Sequence, residues 1–463
     1  MDRDVRANPY LTGAFAPLRS EDDFELTIEG EVPAGLRGAL YRIGPNPQFE
    51  PRDPNHHWFA GDGMVHGFWV DGGKVHYRNR YVRTPKWEAE NKAGKSLFGT
   101  FGNPMTTDPG VFGKVDSGVA NTNIVWHGGR LLALEEGHQP FGLDPDSLEP
   151  RGYQAFGGKV TAHPKEDPMT KDLLFFGYAD APMPFSPNVS YGVMGADGVL
   201  KRRDTFEAPY CSMIHDFAVT AGHVLFPVLP LTGSLDRAMK GLPPFAWEPE
   251  KPALVGVMAR DAAVDSIRWF QTDACYVFHV MNAWDEDGKI VADVMKYAVA
   301  PLFPLADGSR GQQAGAYLVR WTFDLNSASD VIKEEQLDDM AGEFPRYDER
   351  FTFKANRHGW YSTQTAKPGD IRTNGLSHID LTTRRRTDWV SGAGDAVSEP
   401  VFVPRSADAP EGDGWILAVQ YLAAEGRSDF VVFDAQAMDK GPIARANVPR
   451  RVPLGFHGNW VGA

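Results

Sequence analysis

Short apolar or alternating runs recur along the whole chain, separated by tight turn signals, which is the pattern of β-strands joined by hairpins. The turns read as Asp71-Gly-Gly73, His127-Gly-Gly-Arg130, Ala196-Asp-Gly198, Glu286-Asp-Gly-Lys289 and Glu425-Gly426. Between them the pattern predicts strands over 39–43, 67–80, 122–126, 130–136 and 172–179. Later strands are predicted over 224–231, 276–284, 289–297, 317–324, 401–404, 415–422 and 429–434. Helical periodicity is confined to part of 81–98, to 233–240 and to 329–339, all inside long connections. Residues 1–30 read as an irregular arm that ends in a stretch, 22–29, alternating at the strand period. No Ser/Gly-rich linker or charge block divides the chain, so 1–463 is expected to form a single domain.

Composition agrees. Forty-eight glycines, 35 prolines and 12% aromatic residues in 463 favour β structure. A net charge of −14 disfavours nucleic-acid partners. The two cysteines, Cys211 and Cys275, exclude a disulfide framework and fit a reducing cytoplasm. The first ten residues contain charges but no apolar run, so no secretory signal is expected. The most apolar run, Val224–Leu231, is short and broken by prolines, which disfavours a spanning helix and leaves a peripheral membrane contact open.

The chemistry concentrates on histidine. His279 lies inside Cys275-Tyr-Val-Phe-His-Val-Met-Asn-Ala-Trp284, a run that reads as a buried strand, so its imidazole needs a partner. His163 in Thr161-Ala-His-Pro164, His215 in Cys211-Ser-Met-Ile-His-Asp-Phe217 and His457 in Pro453-Leu-Gly-Phe-His-Gly-Asn-Trp460 have comparable settings. The first two gaps between them are about 50 to 65 residues and the third about three times as long. That spacing suits one histidine on equivalent strands of about seven propeller blades. Four distant imidazoles form a metal site suited to Fe, Zn, Cu or Ni, and such a site wants carboxylates to orient its rings. Glu136, Glu343 and Glu399, acids at the ends of apolar runs, fit that role. Taken one at a time, each histidine is more simply satisfied by a backbone carbonyl. The other histidines, including His56, His66 and His127, are read as lying in turns or exposed loops.

Other chemistries are less well supported. No Gly-x-Ser-x-Gly elbow occurs, and Gly392-Ala-Gly394 lacks the strand-to-helix setting of a phosphate loop. A carboxylate pair such as Asp62 with Asp348 leaves glycoside hydrolysis as a bland alternative.

Several segments resemble the carotenoid cleavage oxygenases. They are Tyr41-Arg-Ile-Gly-Pro-Asn-Pro47, Gly61-Asp-Gly-Met-Val-His66, Thr161-Ala-His-Pro-Lys165, Met213-Ile-His-Asp-Phe217, Phe278-His279, Glu343-Phe-Pro-Arg346, Ser398-Glu-Pro-Val-Phe-Val-Pro404 and Phe456-His-Gly458. The resemblance covers nearly the whole chain. It implies an all-β fold, a seven-bladed β-propeller with a helical cap over the metal-containing face. It also implies one Fe(2+) on His163, His215, His279 and His457, with Glu136, Glu343 and Glu399 behind the ligands and Thr122 near an open coordination position. The implied activity is cleavage by O2 of a carbon–carbon double bond in an apolar conjugated substrate, giving two carbonyl products. Phe59, Phe101 and Phe278 suit the substrate tunnel. Phe101 and Glu135 stand where stilbene-cleaving relatives hold a phenolate with a tyrosine and a lysine, which favours a carotenoid or apocarotenoid over a stilbene or other phenylpropanoid. A non-catalytic binding propeller and an isomerase using the same iron site are the remaining alternatives.

Overall fold

The computed structural model describes residues 8–365 and 372–463. The remaining residues, among them 1–7 of the expected arm, lie outside the described set. The chain divides into two compact units, one of Met1–Phe156, Trp389–Ala409 and Asp413–Ala463 and one of Gly157–Asp388 and Pro410–Gly412.

The first unit contains three antiparallel sheets. One is built on Gly38–Pro45, Gly63–Asp71 and Lys74–Tyr81. It is extended at one edge by Asp23–Glu25 and at the other by the C-terminal strand Gly458–Gly462. The second comprises Asn123–His127, Arg130–Leu134, Phe141–Leu143 and Pro150–Tyr153. The third runs from Ala396–Val397 and Val401–Pro404 through Gly414–Leu422, Arg427–Asp434 and Ala444–Val448 to Thr27–Gly30. The stretch of strand period at the end of the expected arm supplies an edge strand to each of two sheets.

In the second unit four sheets of four antiparallel strands follow in sequence, with a two-stranded ribbon of Leu231–Gly233 and Phe245–Trp247 beside them in the chain. Their inner members include Leu173–Tyr178, His223–Val228, Lys289–Tyr297 and His358–Thr363. Three sheets and four sheets are the seven blades of a β-propeller.

The blades have both faces covered, and the strand pattern shows why. Along Gly38–Pro45, Leu40 joins a core with Phe68, Tyr77, Val401, Leu417 and Phe430, whereas Ala39, Tyr41 and Ile43 join another with Ile124, Leu131 and Phe141. Alternate side chains thus enter two different sheet interfaces, and the strand reads as one continuous apolar run. The predicted hairpins form where glycine permits left-handed backbone. Gly72 and Gly73 have φ of 55° and 79°, and Asp287 and Gly288 have 48° and 75°.

Among the described residues there are two α-helices, α1 (Pro85–Ala93) and α2 (Leu235–Met239), both within the connections where helical periodicity is expected. Helix α1 has the signals expected of it: Thr84 caps the N–H of Trp87, Pro85 opens the first turn, and Gly94 ends the helix at φ 66°. Residues 329–339, read as helical, instead contain the strand Lys333–Gln336 paired with Ala316–Asp324. Its four exposed residues, Lys-Glu-Glu-Gln, are good helix formers, but the open edge of the neighbouring strand satisfies their backbone, and charged side chains suit an exposed edge.

Phe68 is fully buried and stacks on Phe430 with ring centroids 5.0 Å apart. Truncating it to alanine is expected to destabilise the protein by about 3–5 kcal/mol through lost burial and a residual cavity. A denaturant titration of Phe68→Ala checks this.

Candidate metal centre

His163, His215 and His457 sit in loops that immediately precede short strands, and His279 lies within the strand Tyr276–Glu286. That strand is not regular. Its register with Lys289–Tyr297 shifts between Val277 and Val280 and again between Val280 and Asn282. Extra residues on one strand of a pair bend it and re-aim its side chains, and here the disturbance brackets His279.

The loops are fixed by local hydrogen bonds. The Thr161 hydroxyl accepts from the His163 N–H at 3.0 Å and donates to the His215 carbonyl at 3.3 Å, joining two histidine segments. In the first unit, the His457 N–H donates to the Thr122 carbonyl at 3.2 Å, and the His457 carbonyl accepts from Ile43 N–H at 2.9 Å.

One ring nitrogen from each of His163, His215, His279 and His457 lies within 4.8 Å of the others, and all four side chains are buried. The Nε2 atoms of His163 and His215 are 3.0 Å apart, and those of His215 and His279 are 3.2 Å apart. The opposite nitrogens of two rings are taken by carboxylates. His279 Nδ1 donates to Glu343 Oε2, which also accepts the Phe344 N–H at 2.8 Å. His457 Nδ1 donates to Glu399 Oε1 at 3.0 Å, while Glu399 Oε2 accepts the Gly458 N–H at 2.9 Å. A proton held on Nδ1 leaves the Nε2 lone pair directed at the cluster. Neutral imidazoles with converging lone pairs are the donor set of a divalent transition metal, so these residues fit one.

The remaining expected residues fall in different places. Thr122, half-buried, stands beside His457 through its carbonyl, and its hydroxyl donates to Asn121 Oδ1 at 2.9 Å. Glu136 is half-buried, two residues past the strand Arg130–Leu134. Phe59 and Phe101 meet edge-to-face at 5.4 Å, and Phe59 also meets Phe456, the neighbour of His457, at 5.6 Å. Phe278 packs edge-on to His215 at 5.1 Å.

Glu135, expected against substrate, has backbone partners. Its Oε1 accepts from Val119 N–H at 2.8 Å and Ala120 N–H at 3.2 Å and lies 3.0 Å from His138 Nδ1, so the carboxylate anchors the loop that leads to Thr122. Asp62 pairs with Lys86, which also meets Glu90, and Asp348 pairs with Arg350. His56, His66 and His127 are buried rather than in exposed loops. His66 bonds the Tyr77 hydroxyl at 2.8 Å, and burial pushes its imidazole down to about 3, so it stays neutral.

Three contributors escape sequence reasoning. Phe456 adds to the aromatic group; its position next to His457 was the available signal. Phe344 holds φ at 56° directly after Glu343, a backbone that presents its N–H to that carboxylate. Tyr297 is buried near Glu343, and burial together with that negative charge holds its phenol well above the usual range, protonated.

The family described as retinal pigment epithelial membrane protein matches residues 15–462. The isoeugenol monooxygenase of Pseudomonas nitroreducens is 39% identical over 479 residues, covering 100% of this chain and 99% of that protein. The crystal structure of Pseudomonas brassicacearum lignostilbene dioxygenase superposes with a TM-score of 0.94 at 37% identity, covering 99% of both chains. Cobalt-substituted Synechocystis apocarotenoid oxygenase superposes with a TM-score of 0.84 at 29% identity, covering 96% of this chain and 97% of that one. Fold and site therefore define an iron-dependent, alkene-cleaving oxygenase on a seven-bladed propeller. The chain belongs to the carotenoid cleavage oxygenase family.

Glu399→Ala removes the acceptor of both His457 Nδ1–H and Gly458 N–H. Its affinity for ferrous ion is expected to fall about 10–100-fold, with Glu399→Gln, which keeps an acceptor, affected less. Anaerobic titration of the metal-stripped protein measures both.

Proposed function

We propose that this chain cleaves the alkene of an aryl-conjugated substrate of the phenylpropanoid or stilbene class. The observation that carries the reading is full-length similarity at 37–39% to an isoeugenol monooxygenase and a lignostilbene dioxygenase, against 29% for an apocarotenoid oxygenase. The reaction balances without an external reductant: one double bond and one O2 give two carbonyl products.

In this reading His163, His215, His279 and His457 hold the ferrous ion, which supplies O2 activation when bound. The protein's own groups do the rest. Glu343 and Glu399 hold His279 and His457 in the tautomer that keeps Nε2 available, and their charge offsets part of the cation's. Glu136 is assigned the same task behind the ligands. Thr122, which receives the His457 N–H through its carbonyl, would lie beside a bound ion. The edge-to-face group of Phe59, Phe101 and Phe456 offers apolar ring faces and edges against which an arene and its conjugated alkene pack, and it keeps water away from the reacting carbons. Phe278 extends an apolar surface beside His215.

An apocarotenoid substrate is the second reading. It is favoured by the absence of a hydroxyl at Phe101 and by the engagement of Glu135 with Val119 and Ala120, which leave neither position as a partner for a phenolate. A cytoplasmic setting belongs to the same proposal, on the strength of the two free thiols Cys211 and Cys275. Among the described residues no helix is long and apolar enough to cross a membrane.

The deciding experiment follows O2 uptake by iron-loaded protein with isoeugenol, a 4-hydroxystilbene and an apocarotenal in parallel. One O2 consumed per aryl alkene, with two carbonyl fragments, is the expected result. Turnover of the apocarotenal alone establishes the second reading. Chelation of the metal is expected to abolish uptake, and anaerobic Fe(2+) to restore it.

A further inference from the structure

Asp216 is almost fully buried, and its carboxylate meets one partner from each of the three histidine segments of the second unit. It belongs to the second of these segments itself, directly after His215. Oδ1 accepts the Phe217 N–H at 2.7 Å and pairs at 2.7 Å with Lys165 Nζ, two residues after His163. Oδ2 accepts the N–H of Val280, directly after His279, at 2.8 Å.

We propose that Asp216 is a positioning residue of the metal centre: its carboxylate, paired with Lys165, clasps together the segments that carry His163, His215 and His279. This rests on the reading of the four histidines as metal ligands.

The geometry favours a clasp over an incidental buried acid. Each contact falls within two residues of a ligand, so little slack separates a shift at the carboxylate from a shift at a ring. Pro164 fixes φ between His163 and Lys165 and stiffens that link. The Val280 N–H lies where the strand register shifts around His279, so the carboxylate braces the distortion that aims that ring. A buried carboxylate is tolerated only with compensating partners, and Asp216 has a cation and two backbone N–H groups. All three partners are in histidine segments.

Asp216→Asn keeps the size but loses the charge and one acceptor. Lys165→Met removes the cation and leaves Asp216 both backbone donors; the Lys165 side chain is partly exposed (24%), so that substitution is mild for folding. The full-length protein, stripped of metal, is titrated anaerobically with Co(II), reading its visible absorption, and with Fe(II) in competition. Wild type is expected to give a defined Co(II) band. Asp216→Asn is expected to bind about 10–100-fold more weakly with a changed band position or intensity, and Lys165→Met to shift in the same direction by a smaller factor. Wild-type affinity and an unchanged band in both variants overturn the clasp while leaving the metal centre intact. If Asp216→Asn does not fold, Lys165→Met decides alone, and an unaltered band there overturns it. Failure of wild type to bind either ion overturns the four-histidine reading and the clasp with it.

Discussion

A buried imidazole must satisfy two nitrogens, and for four imidazoles brought to one point a cation among them with acceptors behind them does so. That requirement organises the molecule. With neutral ligands alone, a bound ion keeps its full charge, so negative groups have to lie one step away, where they hold protons on Nδ1 without displacing the rings. Glu343 and Glu399 do this for His279 and His457, and each carboxylate also takes a backbone N–H, from Phe344 and Gly458. Every carboxylate is thereby held by its own chain as well as by its histidine.

Regular strands could not supply this arrangement. A β-sheet satisfies its backbone groups with one another and directs side chains alternately to two faces, which builds the packed blades but leaves no backbone N–H for a carboxylate. The functional residues occur where regularity ends: His163, His215 and His457 in loops before strands, His279 at a register shift, Glu343 before a residue of positive φ. Side chains then replace the missing ladder. Thr161 links two histidine segments, Asp216 links three, and Thr122 receives the N–H of His457 through its carbonyl. The blades provide rigidity, and these polar ties transmit it to the rings.

The aromatic group has a related logic. Phe59, Phe101 and Phe456 come from distant parts of the chain and touch edge-to-face, a geometry that fixes rings more firmly than burial alone. Its link to the metal ligands is covalent, through the Phe456–His457 peptide.

Most strands and hairpins were legible in the sequence, as were the histidines that are candidates for the chemistry. Apolar alternation and glycine turns are local signals, and a histidine in an apolar run is improbable without a partner, so His163, His215, His279 and His457 stand out in the sequence. Glu343 and Glu399 were legible for the same reason, as acids at the ends of buried runs. Contacts between segments far apart in the chain settled the rest. Residues Lys333–Gln336 have good helix formers yet pair as an edge strand, because a neighbouring strand offers its open side. Glu135 and Glu136 are adjacent identical acids, and only the approach of Val119 and Ala120 assigns the first to anchoring a loop. Asp216 looks like any aspartate after a histidine until Lys165 and Val280, 51 and 64 residues away in the chain, converge on its two oxygens. Periodicity records which face of a strand is buried; it contains no information about which distant group will meet a given carboxylate, and that meeting is what turns buried acids and histidines into a metal centre.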